Sequence, residues 1–213
     1  MRVLFLLAVA PLWAACPSPP AGPTPDDVAA SLGLVAGTKK TYASSIGVTE
    51  THELVASDVL FPGGLSVGQV AKENGFANEA RSLTFGVDLE QASLLRFASC
   101  LNRCAVASAP IPFLTWPLRE GARTEGEATI TVSENGAVVD THTERHATTI
   151  GAQAPVTVPA GTFDAFLVTW SRTTIDAQGA EDTETALLRW APDTGVVTFD
   201  TFDGVTLELQ ALD

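Results

Sequence analysis

The chain has 213 residues, with 25 acidic against 12 basic side chains and a formal net charge of −13. Hydrophobic residues make up 46% of it and charged residues 17%, enough apolar material for a packed core of one domain or two small ones, and too much for a disordered chain. The acidic balance argues against nucleic acid as a partner, because phosphate binding needs clustered Lys and Arg. It also argues against docking on an anionic membrane face by charge.

Residues 1–15 read as a signal peptide. Met1-Arg2 is a short positive start, and Val3 to Ala10 is an apolar run. That run is too short to span a bilayer, which takes about 20 apolar residues, but it suits secretion. It leads to Leu12-Trp13-Ala14-Ala15-Cys16. Small residues before a Cys resemble the lipobox of bacterial lipoproteins, with Trp13 standing where that family prefers Leu. The resemblance implies cleavage before Cys16 and lipidation of Cys16. Because Pro17 follows and not Asp, it also implies sorting to the outer membrane. Cleavage at the same Ala14-Ala15 as an ordinary signal would leave a secreted chain instead.

Cys16 to Pro25 holds five prolines in ten residues, the composition of an extended polyproline II spacer. Residues 16–26 therefore read as a lipidated Cys plus tether, and 27–213 as a single domain. Thr24 suits a helix N-cap, Pro25 the first helical position, and Asp26 and Asp27 complement the helix dipole. One or two helical turns are expected over Val28 to Leu32, ending at Gly33.

Beyond that point helical periodicity is lacking and alternation takes over. Glu127 to Val132 alternates, as does the short Val156 to Val158. Thr162 to Ile175 is rich in β-branched and aromatic residues. Gly204 to Leu212 sets Val205, Leu207 and Leu209 against Thr206, Glu208 and Gln210, a half-buried final strand. Turn signals sit at Glu134-Asn135-Gly136, Ala177-Gln178-Gly179, Pro192-Asp193-Thr194-Gly195 and Asp203-Gly204. The expected fold is all-β, an antiparallel curved sheet of roughly ten to twelve strands forming a sandwich, barrel or strongly curved sheet.

A weak internal repeat runs through this part. Leu34 to Lys39 parallels Leu118 to Arg123, Phe61 to Leu65 parallels Val158 to Thr162, and Ser93 to Ala98 parallels Ala186 to Ala191. The common order suggests two similar β-meanders, about 31–112 and 115–213. Of the three cysteines, Cys100 and Cys104 remain as a pair once Cys16 is assigned to lipid. Across a tight turn they could close a small disulfide loop in an oxidising compartment. Two free thiols or a metal pair are the alternatives, although a second ligand pair with zinc spacing is lacking.

Trp116-Pro117-Leu118-Arg-Glu-Gly121, Val156-Thr-Val-Pro159-Ala-Gly161-Thr-Phe163 and Leu188-Arg-Trp190-Ala-Pro192-Asp-Thr-Gly195-Val-Val197 form an ordered set. It resembles a group of largely uncharacterised bacterial secreted proteins and lipoproteins, the TapB-like and related domains of unknown function. Their shared pattern is a Val-Pro-Ala-Gly-Thr-Phe hairpin and a Trp-x-Ala-Pro-x-x-Gly-x-Val turn. The resemblance implies an open barrel or half-barrel like that of lipoprotein carriers, and it implies no catalytic residues. Turn and core roles account for every residue quoted.

Chemistry is sparse. In Asp140-Thr-His142-Thr-Glu144-Arg-His146, a strand would put Asp140, His142, Glu144 and His146 on one face, about 7 Å apart at each step. His142, Glu144 and His146 are weak candidates for a metal site, against the alternative of a solvated polar strand face. His52 reads as a lone surface histidine. Gly64-Leu65-Ser66-Val67-Gly68 matches a nucleophile-elbow pattern, making Ser66 a weak candidate nucleophile. That pattern has meaning only on a strand-to-helix turn, and here it aligns with a hairpin.

The resulting expectation is a lipid-anchored envelope protein, not an enzyme, with no cofactor and a β domain that binds an unidentified envelope partner or serves a structural role. The alternative is a carrier holding an apolar ligand in a concave cavity, with Phe163, Phe166, Trp170 and Trp190 as lining or as plain core.

Overall fold

The computed structural model describes residues 22–73, 76–77, 82–96 and 103–213. The signal peptide, Cys16 and Cys100 lie outside the described residues.

The chain opens with α1 (Pro25–Ser31). Thr24 caps it as expected: its hydroxyl accepts from the Asp27 amide at 3.3 Å, and the Asp27 carboxylate accepts from the Thr24 amide at 2.7 Å. The helix starts at Pro25, the expected first position, and its C-cap is Leu32, with Gly33 following at φ +66°.

The strands follow in order: β1 (Lys39–Ser44), β2 (Thr49–Ala56), β3 (Leu65–Glu73), β4 (Phe76–Ala77), β5 (Leu83–Val87), β6 (Gln91–Arg96) and β7 (Arg103–Thr115). After them come β8 (Arg123–Glu134), β9 (Ala137–Val158), β10 (Gly161–Ile175), β11 (Glu181–Ala191), β12 (Gly195–Asp200) and β13 (Thr206–Leu212). The expected strands over Thr162 to Ile175 and at the C-terminus are β10 and β13. The tip between β8 and β9 is Asn135-Gly136, with φ of 50° and 81°, the backbone that an Asn-Gly hairpin turn requires.

Among the described residues every strand pairing is antiparallel, and the sheet closes. The order β2-β1-β13-β12-β11-β10-β9-β8-β7-β6-β5-β3 returns to its start because β2 pairs with β3, from Glu50↔Glu73 to Ala56↔Val67. The fold is therefore a closed 12-strand barrel, with the short β4 attached to β3. This corrects the open barrel or half-barrel expected above: closure satisfies both edges that an open sheet would leave unpaired. Six ring strands precede the β7–β8 connection and six follow it. The first two repeat segments precede equivalent strands in each set, β1 and β8, then β3 and β10. The third falls on β6 and β11, one strand out of step.

Alternate residues of each strand point inward. Two buried clusters fill the interior, one around Phe85, Phe113, Trp170 and Trp190, the other around Tyr42, Ala165, Leu207 and Leu209. Val196 and Phe199 pack against both. A register shift between Phe166 and Val168 changes which residues of β10 face inward, from Phe163 and Ala165 to Val168 and Trp170.

α1 closes one end of the barrel with Val28, Ala29 and Leu32, all buried in the first cluster. The tie is polar as well as apolar. The Trp190 indole donates to the Leu32 carbonyl at 3.1 Å, the Asp193 amide to the Ser31 carbonyl at 2.9 Å, and Lys40 Nζ to the Gly33 carbonyl at 3.1 Å. We call this the helix end. The turns at 45–48, 135–136, 176–180 and 201–205 lie at the far end.

Candidate functional site

The most concentrated polar chemistry lies on the inner face of β9. Its register sets Ala128 and Ile130 of β8 beside Glu144 and His142, and Arg172 of β10 beside His146. Inward-facing polar side chains in that company must satisfy one another. They do so as a chain. The Trp170 indole donates to His146 Nδ1 at 2.9 Å, and His146 Nε2 lies 2.7 Å from one Glu144 oxygen. The other Glu144 oxygen lies 3.2 Å from His142 Nε2, and His142 Nδ1 lies 2.7 Å from Asp140.

The donor roles follow from the ends. An indole N–H can only donate, so His146 Nδ1 accepts and Nε2 carries the proton toward Glu144. Burial pushes the Glu144 carboxyl up. The hydrogen bonds from His146 and His142 and the nearby Arg172 charge together outweigh burial and hold it below the usual value. The hydrogen bond from His142 likewise lowers Asp140 at the exposed end.

The expected solvated polar face is thus overturned: Glu144 and His146 are buried inside the barrel. The metal alternative fits poorly for a chemical reason. A ligating imidazole carries its proton on the other nitrogen and donates it outward. Here the other nitrogen of His146 accepts from Trp170, so a metal at Nε2 would set two N–H groups against each other. Among the described residues no group of three or more His, Cys, Asp and Glu side chains could hold a metal ion.

Arg172 closes over this chain from β10. Its guanidinium donates to Glu184 at 2.5 Å and sits 4.4 Å from the Phe202 ring centroid. Phe202 reaches in from the far-end loop to meet Trp170 edge-on at 4.8 Å. Trp170 in turn meets Phe113 at 5.1 Å, and Phe113 meets Trp190 at 6.0 Å and Phe85 at 5.9 Å. Trp170 and Trp190 are buried core, and Phe163 and Phe166 are partly buried against it.

Three buried polar side chains, Glu50, His52 and Lys40, escaped the sequence reading. Glu50 and His52 of β2 face inward, 2.6 Å apart, with the His52 ring 4.7 Å from that of Tyr42. His52 is therefore not a surface residue. Tyr42 donates to the Val196 carbonyl at 2.9 Å, and burial with the Glu50 charge raises its phenol well above the usual value. Lys40 is also inward, and burial lowers its ammonium to about 8. Alternation of Lys40, Tyr42 and Ser44 with Lys39, Thr41 and Ala43 carried the signal, but both sets hold polar residues.

Ser66 lies on β3, where its hydroxyl donates to the Val59 carbonyl at 2.5 Å. The chain runs on as strand to Glu73, so the strand-to-helix turn of a nucleophile elbow is not formed; the loop before it joins the paired strands β2 and β3, the hairpin connection expected from the repeat. Cys104 is the second residue of β7. Cys100, its expected partner, lies outside the described residues.

No family model matches the sequence, and no curated protein matches it. Among solved structures, the chain is similar to one described as a lipoprotein from Parabacteroides distasonis, with a TM-score of 0.57 at 14% identity over 85% of this chain and 97% of that one. It is also similar to a protein from Bacteroides fragilis described as exported with a YmcC-like fold, with a TM-score of 0.54 at 11% identity over 85% of this chain and 98% of that one. At such identities the likeness is one of fold.

Proposed function

We propose that the chain is a lipid-anchored protein of the bacterial cell envelope, whose barrel works as a binding or structural module and not as an enzyme. The observation that carries this reading is the filled interior. Phe85, Phe113, Trp170, Trp190 and Phe202 touch in series across the barrel, α1 closes one end, and the inward acids and histidines are spent on one another. An enzyme would need donor and acceptor groups left open toward a substrate. The working surface is then the outside of the barrel and its rims.

Leu12 to Cys16 and the Pro-rich tether supply the anchor, and Pro17 favours the outer membrane. The lipoprotein and exported-protein descriptions of the two fold neighbours agree with that address. A carrier of an apolar ligand would have to displace Phe113 or the two tryptophans that meet it.

The test is native mass spectrometry of the protein purified from a bacterial host, beside a Cys16→Ser form made with the same signal. Acyl mass on the wild type alone is expected, with no further adduct. Absence of acyl mass would overturn the anchor. A releasable lipid-sized adduct on both forms would overturn the filled-barrel reading in favour of the carrier.

A further inference from the structure

We propose that the rim at the helix end of the barrel is a docking surface for a zwitterionic lipid bilayer. The inference rests on the lipid-anchor reading above and extends it to the orientation of the barrel. Three neighbouring segments at this end each expose one large apolar side chain: Val35 before β1, Leu60 between β2 and β3, and Leu89 between β5 and β6, at 46%, 93% and 48% exposure. These segments follow one another around the rim, because β1, β2, β3, β5 and β6 are successive neighbours in the ring. The Gly37 amide ties the first to β2 through the Leu54 carbonyl at 2.7 Å. The Phe61 ring ties the second to β5, lying where a Cβ on Gly86 would meet it at 2.6 Å. The side chains are therefore held on a rigid scaffold and not scattered on loose loops.

The occupant follows from where the tether leads. Thr24 and α1 sit at this same end, and Thr24 is eight residue steps from Cys16. At polyproline II rise that is about 25 Å, less than the length of the barrel's longest strand. A lipid on Cys16 therefore brings the helix end, and not the far end, to the bilayer. Three apolar side chains are a weak contact for a free protein. Held by the anchor at high effective concentration, such a contact orients the barrel without having to capture it.

Charge selects the lipid. Asp58, Asp88, Glu90, Glu120 and Asp193 stand on loops of this end, against Lys39 and Arg119. An anionic surface repels such a rim, whereas neutral headgroups do not.

The test uses the full lipidated protein with an environment-sensitive fluorophore on Leu60→Cys, on Leu89→Cys, or on Ile46→Cys at the far end. Each is measured alone and on phosphatidylcholine vesicles. A blue shift on vesicles at the first two positions and none at Ile46 is expected, and admixed phosphatidylglycerol should reduce it. Co-flotation without a shift at Leu60 or Leu89 would overturn the docking and leave the anchor standing. Failure to co-float would overturn the anchor and the docking with it. A shift at Ile46 would reverse the orientation, and a shift without vesicles would assign the rim to contact between copies of the chain.

Discussion

The Trp170 indole donates to Nδ1 of His146 at 2.9 Å, and that bond fixes the tautomer of a buried histidine. It also makes the two residues one unit, since neither nitrogen of His146 faces water. Trp170→Phe keeps an aromatic ring in the core but leaves Nδ1 an unpaired buried acceptor. Such a group costs about 1–3 kcal/mol, in addition to the lost indole packing. A double-mutant cycle with His146→Leu, read by urea unfolding, is expected to give a coupling of about 1–2 kcal/mol. Additivity to within about 0.5 kcal/mol would show that the bond contributes nothing. Nitrogen NMR of the wild type should show Nε2 protonated and Nδ1 bare.

Glu144 accepts from both His146 and His142, so Glu144→Gln damages both contacts. The amide oxygen can accept from one imidazole, while the amide NH₂ confronts the other. A loss of about 2–3 kcal/mol at pH 7 is expected for a buried, charge-assisted pair of bonds. The pH dependence carries a sign. The Glu144 carboxyl is held below its usual value in the fold. Its contribution is thus complete above the unfolded carboxylate pKa of about 4.3 and is lost as pH falls through the lower folded value. The stability gap between wild type and Glu144→Gln should be flat from pH 7 to about 5 and narrow below about 4. A gap unchanged down to acid unfolding would contradict this account.

Much of the fold was legible and the site was not, for one physical reason. Alternation tells which residues share a face, but not which face is inside. On β13 the two sets differ: Leu207 and Leu209 against Glu208 and Gln210, and the inward set is plain. On β9 both sets are polar, Asp140, His142, Glu144 and His146 against Thr141, Thr143 and Arg145. The deciding partner, Trp170, lies on another strand in a register that no local pattern encodes. The same ambiguity hid Lys40, Glu50 and His52 on β1 and β2. Barrel closure was hidden differently: the pairing of β1 with β13, from Lys40↔Leu212 to Ser44↔Leu207, joins strands at opposite ends of the sequence and depends on the curvature of the whole ring. The start of α1 was legible because Thr24, Pro25 and Asp27 act within four residues of one another.

Lys40 gives a prediction of opposite slope to that of Glu144. Burial lowers its ammonium from 10.5 to about 8 in the fold. Between those values the unfolded chain binds more protons than the folded one, so stability rises with pH there. From pH 7 to about 9.5 the wild type should gain about 2 kcal/mol relative to Lys40→Met. Tyr42 limits the window at its upper side. Its phenol is raised by burial and by the Glu50 charge, so above about 10 the unfolded chain ionises first and stability falls. Urea unfolding of the two proteins at pH 7, 8.5 and 9.5 reads the difference. Parallel curves would mean that Lys40 reaches water.

Gly33 ends α1 at φ +66°, and a Cβ there would lie 2.2 Å from the Gly195 amide nitrogen and the Thr194 carbonyl carbon. Those atoms are backbone of the β11–β12 turn and cannot rotate aside. Gly37, in the same connection, has φ +95° and open space around a would-be Cβ. The two glycines therefore separate two costs. Gly37→Ala meets only the unfavourable left-handed backbone, about 1–2 kcal/mol. Gly33→Ala adds a steric clash worth about 1–3 kcal/mol more, and it forces the helix away from the turn. That displacement stretches the bonds from Asp193 to Ser31 and from Trp190 to Leu32. Hydrogen exchange should show the Asp193 amide and the Trp190 indole opening faster in Gly33→Ala than in Gly37→Ala. Equal exchange in the two variants would mean that α1 is not held to the barrel by this contact.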